Sequence, residues 1–564
     1  MQYNDETISS PQAIVNAFAC HFSAFFSNSS NTEQTSLFNS QDASLISVDS
    51  VTLEEVTIAI KSLKGNLTAG HDQVPAFLLK DCSFYLAPAI QKLINSILAN
   101  STFPSRWKIS KITPVFKNGS KTNVSNYRPV ALLSNLSKVF EAIIHKRLFA
   151  SFSTVISEFQ HGFFSGRSTS TNLIQMCQFI SSALDLKQQV DVIYTDLSKA
   201  FDSIHHEQLL CKLRSLGCHN SLTDLIRSYL EDRSYYVSYN GFVSVSHNCS
   251  SGVPQGSILG PLLFSLYIND LLVSIPCQIL AYADDIKIFS VVKDYSDCTK
   301  LQTCLEHINV WCLRNNLMLN SDKCKVVRYT RRLNEIEFNY SIDNTILETA
   351  TTIKDLGIIF DKSLTFKQHY QYLSSSSLKL WGFVVRICKE FKNMECIKTL
   401  YYSLVRSKLE YGAVVWNPFY KGDIFLIEKT QRRYLKYIFL KIHKEYPPQN
   451  LNYSLLLTCT NDDSLHYRRL LCSIKFVYKL LHNTISCNPL FLLLNFSDRR
   501  LSSRKPLIFT NKRPNTNILM KSPIYTACEI INAICNVCDI YNDDFKIVAN
   551  HFNRYYHTNL NVFM

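Results

Sequence analysis

The spacing of hydrophobic and polar residues changes several times along this chain, and each change indicates where one predicted helix or strand ends and the next begins. Apolar residues three and four apart predict helices over 135–150, 203–216, 221–231, 260–272 and 297–315. Short apolar or alternating runs predict strands over 190–195, 235–245, 278–283 and 286–291. Two amphipathic helices are predicted between Thr52 and Leu98, and Thr52-Leu-Glu-Glu55 has the spacing of a capping box. The mixture of both element types predicts an α/β body.

The two ends of the chain differ from this body. Residues 1–50 carry a helical apolar pattern followed by a Ser- and Asn-rich stretch, Ser27–Ser50, that is typical of a linker. After "DLGIIFDKSLTF" the chain is predicted to be helical and basic as far as about His443, and the periodicity weakens beyond that point. With 564 residues the chain exceeds one compact core, so several subdomains are expected.

Charge narrows the class of partner. The chain has 59 Lys and Arg against 45 Asp and Glu, a net charge of +14. Residues 361–450 contain sixteen Lys or Arg and seven Asp or Glu, so most of the surplus lies in that stretch. A localised basic surplus favours a polyanionic partner, because binding releases counterions from phosphates. The alternative is a solvated surface with a chance excess of cations.

The sequence predicts neither secretion nor membrane insertion. Nineteen Cys are scattered without the density of a disulfide scaffold, which favours reduced thiols in the cytosol or nucleus. Met1–Gln12 is polar, and the sequence has no run of 18 apolar residues. We therefore expect no membrane partner.

Two adjacent carboxylates, Asp284 and Asp285, interrupt the apolar hairpin pattern "QILAYADDIKIF". Asp is common in surface turns, and a simple turn is one interpretation. Two carboxylates held together also raise each other's cost of ionisation, which a divalent cation removes. The second interpretation is therefore a metal site, which needs a third carboxylate.

The segment "DVIYTDLSKAFDSIHH" supplies that carboxylate at Asp196, where a predicted strand ends. Asp202 is predicted to be the N-cap of the following helix. Oxygens from two strand ends could clamp two Mg²⁺ ions about 4 Å apart, an arrangement suited to phosphoryl transfer. In "SGVPQGSILGPLLF", Gly252, Gly256 and Gly260 allow close approach of a ligand, and the helix N-terminus that follows favours anions.

In this order and spacing, the motifs resemble the reverse transcriptases of non-long-terminal-repeat retrotransposons, most closely the jockey-like group. The resemblance extends from about Leu53 to at least Lys436. "ITPVFKNGSKTNVSNYRPVALLSNL" looks like the fingers, "YTDLSKAFD" like the first palm carboxylate motif, "GVPQGSILGPLLF" like the template and nucleotide loop, and "YADD" like the catalytic turn. "WCLRNNLMLNSDKCKVV" resembles the next palm motif and "DLGIIFDKSLTFKQH" the primer grip.

The resemblance implies an α+β right-hand polymerase fold with fingers, a mixed α/β palm, a helical thumb and a C-terminal extension. The implied segments are 1–50 for an N-terminal segment and linker, 51–180 for the fingers, 181–335 for the palm, 336–445 for the primer grip and thumb, and 446–564 for the extension. In the thumb, a face that follows phosphates is predicted from Lys429, Arg432, Arg433 and Lys436.

The resemblance also implies an activity, RNA-directed DNA polymerisation, whose partners are an RNA template, a DNA primer or target DNA, and dNTPs. Asp196, Asp284 and Asp285 would bind two Mg²⁺ ions, for which Mn²⁺ can substitute. The 3′-OH of the primer would then attack the α-phosphate of the dNTP.

The other implied site residues would surround the nucleotide. Lys117 and Arg128 would hold the triphosphate, and Lys323 would protonate the leaving pyrophosphate. Phe201 would exclude a ribose 2′-OH, while Gln255 and Gly256 would contact template and nucleotide. The simpler alternatives are solvated cations for the basic residues and a packed core side chain for Phe201.

The chain departs from the family at several positions. Phe164, Ser165 and Leu67 stand where the family usually has basic residues, which predicts weaker template binding. An endonuclease, usual before the polymerase in such elements, does not fit into the 50 residues ahead of the fingers. We therefore expect a truncated element copy or a partial gene. The family's chromosomal mechanism implies action in the nucleus, with a cytoplasmic ribonucleoprotein stage.

Other readings of the sequence remain. The main alternative is a catalytically inactive or domesticated nucleic-acid-binding relic of the same fold, and a group II intron maturase or a telomerase is a third. Near the C-terminus, Cys535, Cys538, His551 and His557 have the spacing of a zinc finger. Asn542 stands where such fingers usually carry an aromatic residue, so zinc binding is not predicted.

Overall fold

The computed structural model of the protein describes residues 1–4, 6–26, 46–448, 451–497, 507–510 and 513–559. All but the last five positions of the predicted linker, Ser27–Ser50, lie outside these residues. None of the helices in the described ranges combines the length and apolar character needed to cross a bilayer.

In the described residues, the first part of the chain contains four α-helices that precede a strand pair and a fifth helix. Its elements are β1 (Gln2–Tyr3), β2 (Glu6–Thr7), α1 (Pro11–Ser23), α2 (Leu53–Ser62), α3 (Ala76–Asp81), α4 (Ser83–Asn100), β3 (Ile109–Phe116), β4 (Tyr127–Leu132) and α5 (Asn135–Phe152), with short 3₁₀ turns at Ser105–Trp107 and Val124–Asn126. The predicted capping box is confirmed, because Glu55 N donates to Thr52 Oγ1 and Thr52 N donates to Glu55 Oε2.

The central part alternates helices and strands, as the sequence predicted. Its elements are α6 (Thr169–Asp185), β5 (Gln189–Thr195), β6 (Leu197–Ser198), α7 (His206–Ser215), α8 (Asn220–Leu230), β7 (Arg233–Tyr239), β8 (Phe242–Val243), β9 (His247–Cys249), α9 (Gly260–Tyr267), α10 (Asn269–Ser274), β10 (Gln278–Tyr282), β11 (Asp285–Val292), α11 (Tyr295–Arg314), β12 (Met318–Leu319) and β13 (Lys325–Tyr329). The single strand predicted over 235–245 is wrong. Asn240 and Gly241 both adopt positive φ and form a two-residue turn, so a hairpin replaces the strand.

The last part begins with short strands and then becomes helical. Its elements are β14 (Ser341–Ile342), β15 (Thr345–Ile346), β16 (Glu348–Thr349), β17 (Thr352–Asp355), β18 (Ile358–Asp361), α12 (Lys367–Ile387), α13 (Met394–Leu400), a π-helical turn at Tyr401–Arg406, α14 (Ser407–Glu410), α15 (Ala413–Trp416), α16 (Lys421–His443), α17 (Tyr453–Thr460), α18 (Leu465–Leu481), α19 (Asn488–Phe491), α20 (Asn517–Met520), α21 (Pro523–Ile534) and α22 (Phe545–Thr558).

A five-stranded sheet, in the order β10-β11-β5-β13-β16, forms the centre of the molecule. Its inner strands β11, β5 and β13 are mostly buried on both faces, whereas the edge strand β16 is exposed. Neighbouring residues of the inner strands point into different cores. Ile193 packs with the helices of the first and central parts, whereas Val192 packs with the helices of the last part. Burial on both faces explains why these strands read as short apolar runs in the sequence.

A second sheet, in the order β4-β3-β7-β8 with β9 also paired to β7, carries the N-terminal helix α1 on one face. Phe18 and Phe22 of α1 share a core with Ile112 and Tyr235. This sheet combines strands from the predicted fingers, 51–180, and the predicted palm, 181–335. The exact segment boundaries therefore stay predictions.

Candidate active site

The two adjacent aspartates lie at the tip of the hairpin formed by β10 and β11. Tyr282 pairs with Asp285 across the ladder, so Ala283 and Asp284 form a two-residue loop. Ala283 adopts the left-handed conformation, with φ of 59°. A two-residue loop with positive φ matches the twist of the flanking strands. The predicted hairpin is therefore present, and its turn exposes the carboxylates at one end of the central sheet.

A buried glutamine supports this turn from behind. Gln160 Oε1 accepts hydrogen bonds from Ala283 N at 3.0 Å and from Gly162 N at 2.8 Å. A Cβ added at Gly162 would lie 2.3 Å from Ala283 N, so only glycine allows this close approach. The backbone of Phe159 and His161 also exchanges hydrogen bonds with Ala281. The segment 159–162 thus fixes the position of the catalytic turn.

Three of the predicted catalytic residues line one cavity of about 330 Å³: Asp196, Asp285 and Lys323. Asp196 follows β5 directly, and β5 pairs with β11, so the two strand ends bring Asp196 and Asp285 to the same edge. Lys323 Nζ lies 3.0 Å from Asp196 Oδ2. The structure therefore brings the two carboxylates together with the lysine that was predicted to act as the acid.

The carboxylates of this cavity destabilise one another. Partial desolvation and the neighbouring charges of Asp284, Asp355 and Asp196 raise the pKa of Asp285 to about 6. Desolvation and the charge of Asp196 also raise the pKa of Asp284, while Arg128 and Lys117 lower it. Unpaired carboxylates with raised pKa values are typical of functional sites.

The donors at this edge suit Mg²⁺ by their chemistry, because they are hard carboxylate oxygens that repel one another until a cation binds. In the described part of the chain, no group of three or more His, Cys, Asp or Glu side chains is already arranged to hold a metal ion. Lys323 forms an ion pair with Asp196. A metal ion bound to Asp196 would therefore have to displace this ammonium group.

Lys117 and Arg128 lie on the hairpin of β3 and β4, where Val115 pairs with Arg128 and Lys117 N donates to Asn126 O. Both side chains are exposed. Their charges lower the pKa of Asp284, which places them within electrostatic reach of the catalytic turn. Exposed cations within electrostatic reach of a carboxylate turn can hold an anionic group beside it.

Phe201 lies just beyond Asp196 and is half buried. Its ring stacks on Phe264 with centroids 4.5 Å apart and meets the ring of Phe163 edge-on at 6.0 Å. The packing against Phe264 fixes the ring, while the remaining surface is open. Both proposed readings of this aromatic, a core residue and a wall against a sugar, are compatible with this position.

Gln255 and Gly256 lie in a loop that packs against the segment after Asp196. Gly256 has φ of 113°, and a Cβ there would lie 2.7 Å from Ala131 O of β4. Gln255 O accepts a hydrogen bond from Ala131 N, and Gln255 Nε2 donates to Asp202 Oδ2 at 2.6 Å. The predicted role of Asp202 as a helix N-cap is wrong, because α7 starts later and His205 is its N-cap.

Three further polar residues near the site were not found from the sequence. They are Gln160, Glu141 and Lys287. The buried Glu141 accepts hydrogen bonds from Ile258 N and Leu259 N just before α9. Lys287 forms a buried ion pair with Asp355 of β17. A signal was present for the last two. Glu141 interrupts the predicted apolar face of α5, and Lys287 interrupts the apolar strand β11.

In the predicted phosphate-binding face of the thumb, Lys429 and Arg433 are exposed on α16. Arg432 does not lie on this face. Its guanidinium stacks 4.4 Å from the ring centroid of Tyr453 in α17. The sequence pattern missed this because the covering helix comes from the extension, which has little periodicity of its own.

The cysteines of the zinc-like pattern bond to the backbone. Cys535 Sγ donates to Asn532 O and Cys538 Sγ donates to Ile534 O at the end of α21. His551 and His557 lie on α22. The expectation that this pattern does not bind zinc stays a prediction.

Comparisons with known proteins give a consistent relationship. Residues 117–360 match the family described as reverse transcriptase (RNA-dependent DNA polymerase). The chain is 30% identical over 410 residues to the RNA-directed DNA polymerase from mobile element jockey of Drosophila melanogaster, covering 69% of this chain and 44% of that one. It is 28% identical over 410 residues to the probable RNA-directed DNA polymerase from transposon BS of the same species, with the same coverage.

The chain spans less than half the length of these curated relatives. Among solved structures, apo telomerase from Candida tropicalis, truncated from its C-terminal domain, aligns with a TM-score of 0.34 and 11% identity over 52% of this chain and 60% of that one. A TM-score this low does not by itself establish a common fold. The match to the family confirms the predicted fold class, which here combines a mixed α/β centre with a helical last part.

Proposed function

We propose that the chain is an RNA-directed DNA polymerase of a jockey-like non-long-terminal-repeat retrotransposon, because residues 117–360 match the reverse transcriptase family and most of the chain is similar to curated polymerases of such elements. Its substrates would be an RNA template, a DNA primer or target DNA, and dNTPs. The observation that carries this proposal is the hairpin tip that holds Asp284 and Asp285 beside Asp196, with the pKa values of both tip residues raised.

Asp196, Asp284 and Asp285 would hold two Mg²⁺ ions, or Mn²⁺ in their place, which when bound supply Lewis-acid stabilisation of the attacking and leaving oxygens. The rest of the work falls to the chain's own groups. Lys117 and Arg128 would bind the triphosphate and orient it toward the turn.

In the proposed reaction the 3′ hydroxyl of the primer loses its proton to water, and its oxygen forms a bond to the α-phosphorus of the dNTP. The bond from that phosphorus to the bridging oxygen breaks, and pyrophosphate leaves with the bonding electrons. Lys323 would give a proton to the leaving oxygen. Because its ammonium pairs with Asp196 and is more than half exposed, it can turn from the carboxylate toward the pyrophosphate.

The test is dTTP incorporation on poly(rA)/oligo(dT) with Mg²⁺. The wild type is compared with the Asp284→Asn, Asp285→Asn double variant. The matched control is Asp543→Asn, Asp544→Asn, two adjacent aspartates at the start of α22, where Asp544 stands at the N-cap position without a capping hydrogen bond from its side chain. We expect incorporation by the wild type and the control, and none by the catalytic variant.

Incorporation that is equal in all three proteins would contradict the assigned turn. A folded wild type that binds the RNA hybrid but incorporates nothing would instead favour the alternative function, a nucleic-acid-binding relic of the polymerase fold.

Phe201 provides a test of substrate choice. We expect Phe201→Ala to reduce discrimination against rUTP by on the order of a hundredfold, because a small side chain leaves room for the 2′-OH. Phe201→Tyr keeps the ring and is the control. The measurement is kcat/KM for dTTP and rUTP, and unchanged discrimination in the Ala variant would remove Phe201 from this role.

We also propose that the chain acts in the nucleus after a cytoplasmic ribonucleoprotein stage. The support is its similarity to elements that copy RNA into chromosomes. A tagged chain expressed in insect cells should be recovered with chromatin and with RNA, and a strictly cytoplasmic distribution would contradict this proposal.

A further inference from the structure

Asp202 is a carboxylate that the proposed reaction does not use. It is 6% exposed, and its Oδ2 accepts a 2.6 Å hydrogen bond from Gln255 Nε2. It lies six residues after Asp196, on the segment that also carries Phe201. The nearby N-cap role belongs to His205, so capping does not explain why an acidic side chain is buried there.

The backbone around Asp202 is joined to the loop of Gln255 along its length. Val253 N donates to Phe201 O, Gly252 N donates to Ile204 O, and Ser251 Oγ donates to Asp202 O. A Cβ added at Gly252 would lie within 2.7 Å of the Asp202 backbone. The two segments therefore move as one unit.

The other side of Gln255 is joined to β4. Its carbonyl oxygen accepts from Ala131 N, three residues after Arg128. Gln255 is therefore held by its backbone to the strand that carries Arg128 and by its side chain to the segment that carries Phe201. All three residues are assigned to the nucleotide under the proposed function.

The chemistry of the pair gives the amide a direction. An ionised carboxylate only accepts hydrogen bonds, whereas an amide has two N–H donors at one end and a carbonyl acceptor at the other. Burial raises the pKa of Asp202 to about 7, so above that pH the ionised carboxylate keeps the NH₂ end of Gln255 turned toward itself. The amide carbonyl is then left to accept from a ligand. Phe201, which is assigned to the nucleotide sugar under the proposed function, lies next to Asp202 and accepts from Val253 N in the loop of Gln255, so a sugar hydroxyl is the donor expected here.

We infer that Asp202 is a positioning residue, which fixes the orientation of the Gln255 amide so that it accepts a hydrogen bond from a sugar hydroxyl of the incoming nucleotide. This inference rests on the proposed function for the identity of the ligand. It assigns no contact between Asp202 and the nucleotide, and it predicts that the effect of losing Asp202 passes through Gln255.

The test is a double-mutant cycle on dTTP binding and incorporation. Asp202→Leu replaces both carboxylate oxygens with methyl groups and so removes the acceptor, and a small cavity of about 40 Å³ beside Asp202 leaves room for the larger methyl groups. Gln255→Ala removes the amide, and the double variant removes both. Binding of dTTP is measured on a hybrid with a dideoxy-terminated primer, so that it is read without chemistry.

We expect each single variant to raise the KM and the Kd for dTTP about tenfold, which corresponds to the loss of one hydrogen bond between neutral groups, with much smaller changes in kcat. In the double variant the KM and the Kd for dTTP should also rise about tenfold, because the two changes remove the same interaction. Asp202→Asn keeps an acceptor but permits the reversed pairing, so its effect should be intermediate.

The matched control is Asp191, another buried aspartate, whose Oδ1 accepts from Gln189 Nε2 at 2.8 Å at the far end of β5. Asp191→Leu removes the same kind of pair and should leave the KM for dTTP within about twofold. Thermal melting and binding of the RNA hybrid confirm that each variant is folded.

Two results would overturn the inference. One is an unchanged KM and Kd for dTTP in Asp202→Leu. The other is a Kd for dTTP that rises nearly a hundredfold in the double variant, because two independent effects would multiply. A wild type that binds dTTP without incorporating it would contradict the proposed activity alone, because the binding cycle still reports on Asp202. A wild type that does not bind dTTP would overturn both.

Discussion

Asp285 of the catalytic turn and Glu428 of the thumb helix α16 are both carboxylates in partly enclosed surroundings, but their neighbours differ. Asp285 faces Asp284, Asp196 and Asp355, and its pKa is raised to about 6. Glu428 accepts hydrogen bonds from Tyr453 Oη at 2.5 Å and from His466 N at 2.6 Å.

The difference shows how this fold uses acidic groups. Glu428 accepts from the first turn of α18, so it joins the thumb to the C-terminal extension through donors that would otherwise be unsatisfied. Glu141 does the same for the start of α9. The catalytic aspartates have few such donors, so their charges are left for a ligand to balance. Loss of an acid should therefore reduce activity in the first region and stability in the second.

The largest effect is expected at the turn. Asp285→Asn should reduce dTTP incorporation by on the order of a thousandfold or more, since a charged ligand group is lost at the reacting phosphate. The melting temperature without metal should stay the same or rise, because at neutral pH the variant removes a carboxylate whose ionisation the fold disfavours. A melting temperature several degrees lower would show that Asp285 has a structural role and would break the contrast.

The opposite result is expected at the thumb. Glu428→Ala leaves Arg469 buried without its nearest carboxylate and removes the acceptor for two helix N–H groups. The free energy of unfolding should fall by about 3–5 kcal/mol. Urea denaturation followed by tryptophan fluorescence measures this, because Trp381 and Trp416 lie in the same core.

The control for that experiment is Glu348→Ala, which breaks an exposed pair with Lys325. Its effect should be under about 1 kcal/mol. Equal losses in the two variants would mean that Glu428 is no more important to folding than a surface charge.

Asp202 is intermediate between Asp285 and Glu428, and its substitution should change the free energy of unfolding in a pH-dependent way. Burial raises its pKa to about 7, while Gln255 and Lys199 lower it. Because ionisation is harder in the folded state, the wild type should lose stability relative to Asp202→Asn as the pH rises from about 4 to about 7. The gap should reach at most about 4 kcal/mol and stay constant at higher pH.

Chemical denaturation of both proteins at pH 4, 5.5, 7 and 8 measures this gap. Below about pH 4 the two curves should coincide, since the carboxyl is then protonated in both states. A gap that narrows as the pH rises would mean that Asp202 is stabilised as the anion, and the contrast with Glu428 would disappear.

The smallest effect concerns two neighbouring cations on α16. Arg433 is exposed, whereas Arg432 stacks on Tyr453. Arg433→Ala should reduce the slope of log K against log salt for an RNA/DNA hybrid by about one, and Arg432→Ala should leave it unchanged. Filter binding over a range of salt concentrations gives both slopes. An equal reduction in the two variants would place Arg432 on the nucleic-acid face after all.

The parts of the site that depend on local pattern could be predicted from the sequence. The hairpin around Asp284 follows from two apolar runs and a short turn, and Asp196 follows from the end of an apolar strand. The fold class followed from the resemblance of the ordered motifs. These features need only a few consecutive residues to be recognised.

The parts that depend on contacts across the chain could not be predicted. Gln160 supports Ala283 from 123 positions away, and Asp202 turns toward Gln255, 53 positions further on. Asp202 looked like an N-cap because its surroundings resemble a helix start, but a buried hydrogen-bond partner decided its orientation. Arg432 was misplaced for the same reason, since Tyr453 covers it only in the folded chain.

One contact between distant parts of the chain affects how the protein is made. Asp185, at the end of α6, accepts from Thr516 N at 2.7 Å, across 331 positions of sequence. A ribosome adding about 5–20 residues per second needs roughly 15–65 s to cover that interval. During that time the apolar side of α6 has been synthesised, but two of the helices that cover it, α20 and α21, have not. We expect the nascent chain to need chaperone protection until α20 and α21 have left the ribosome.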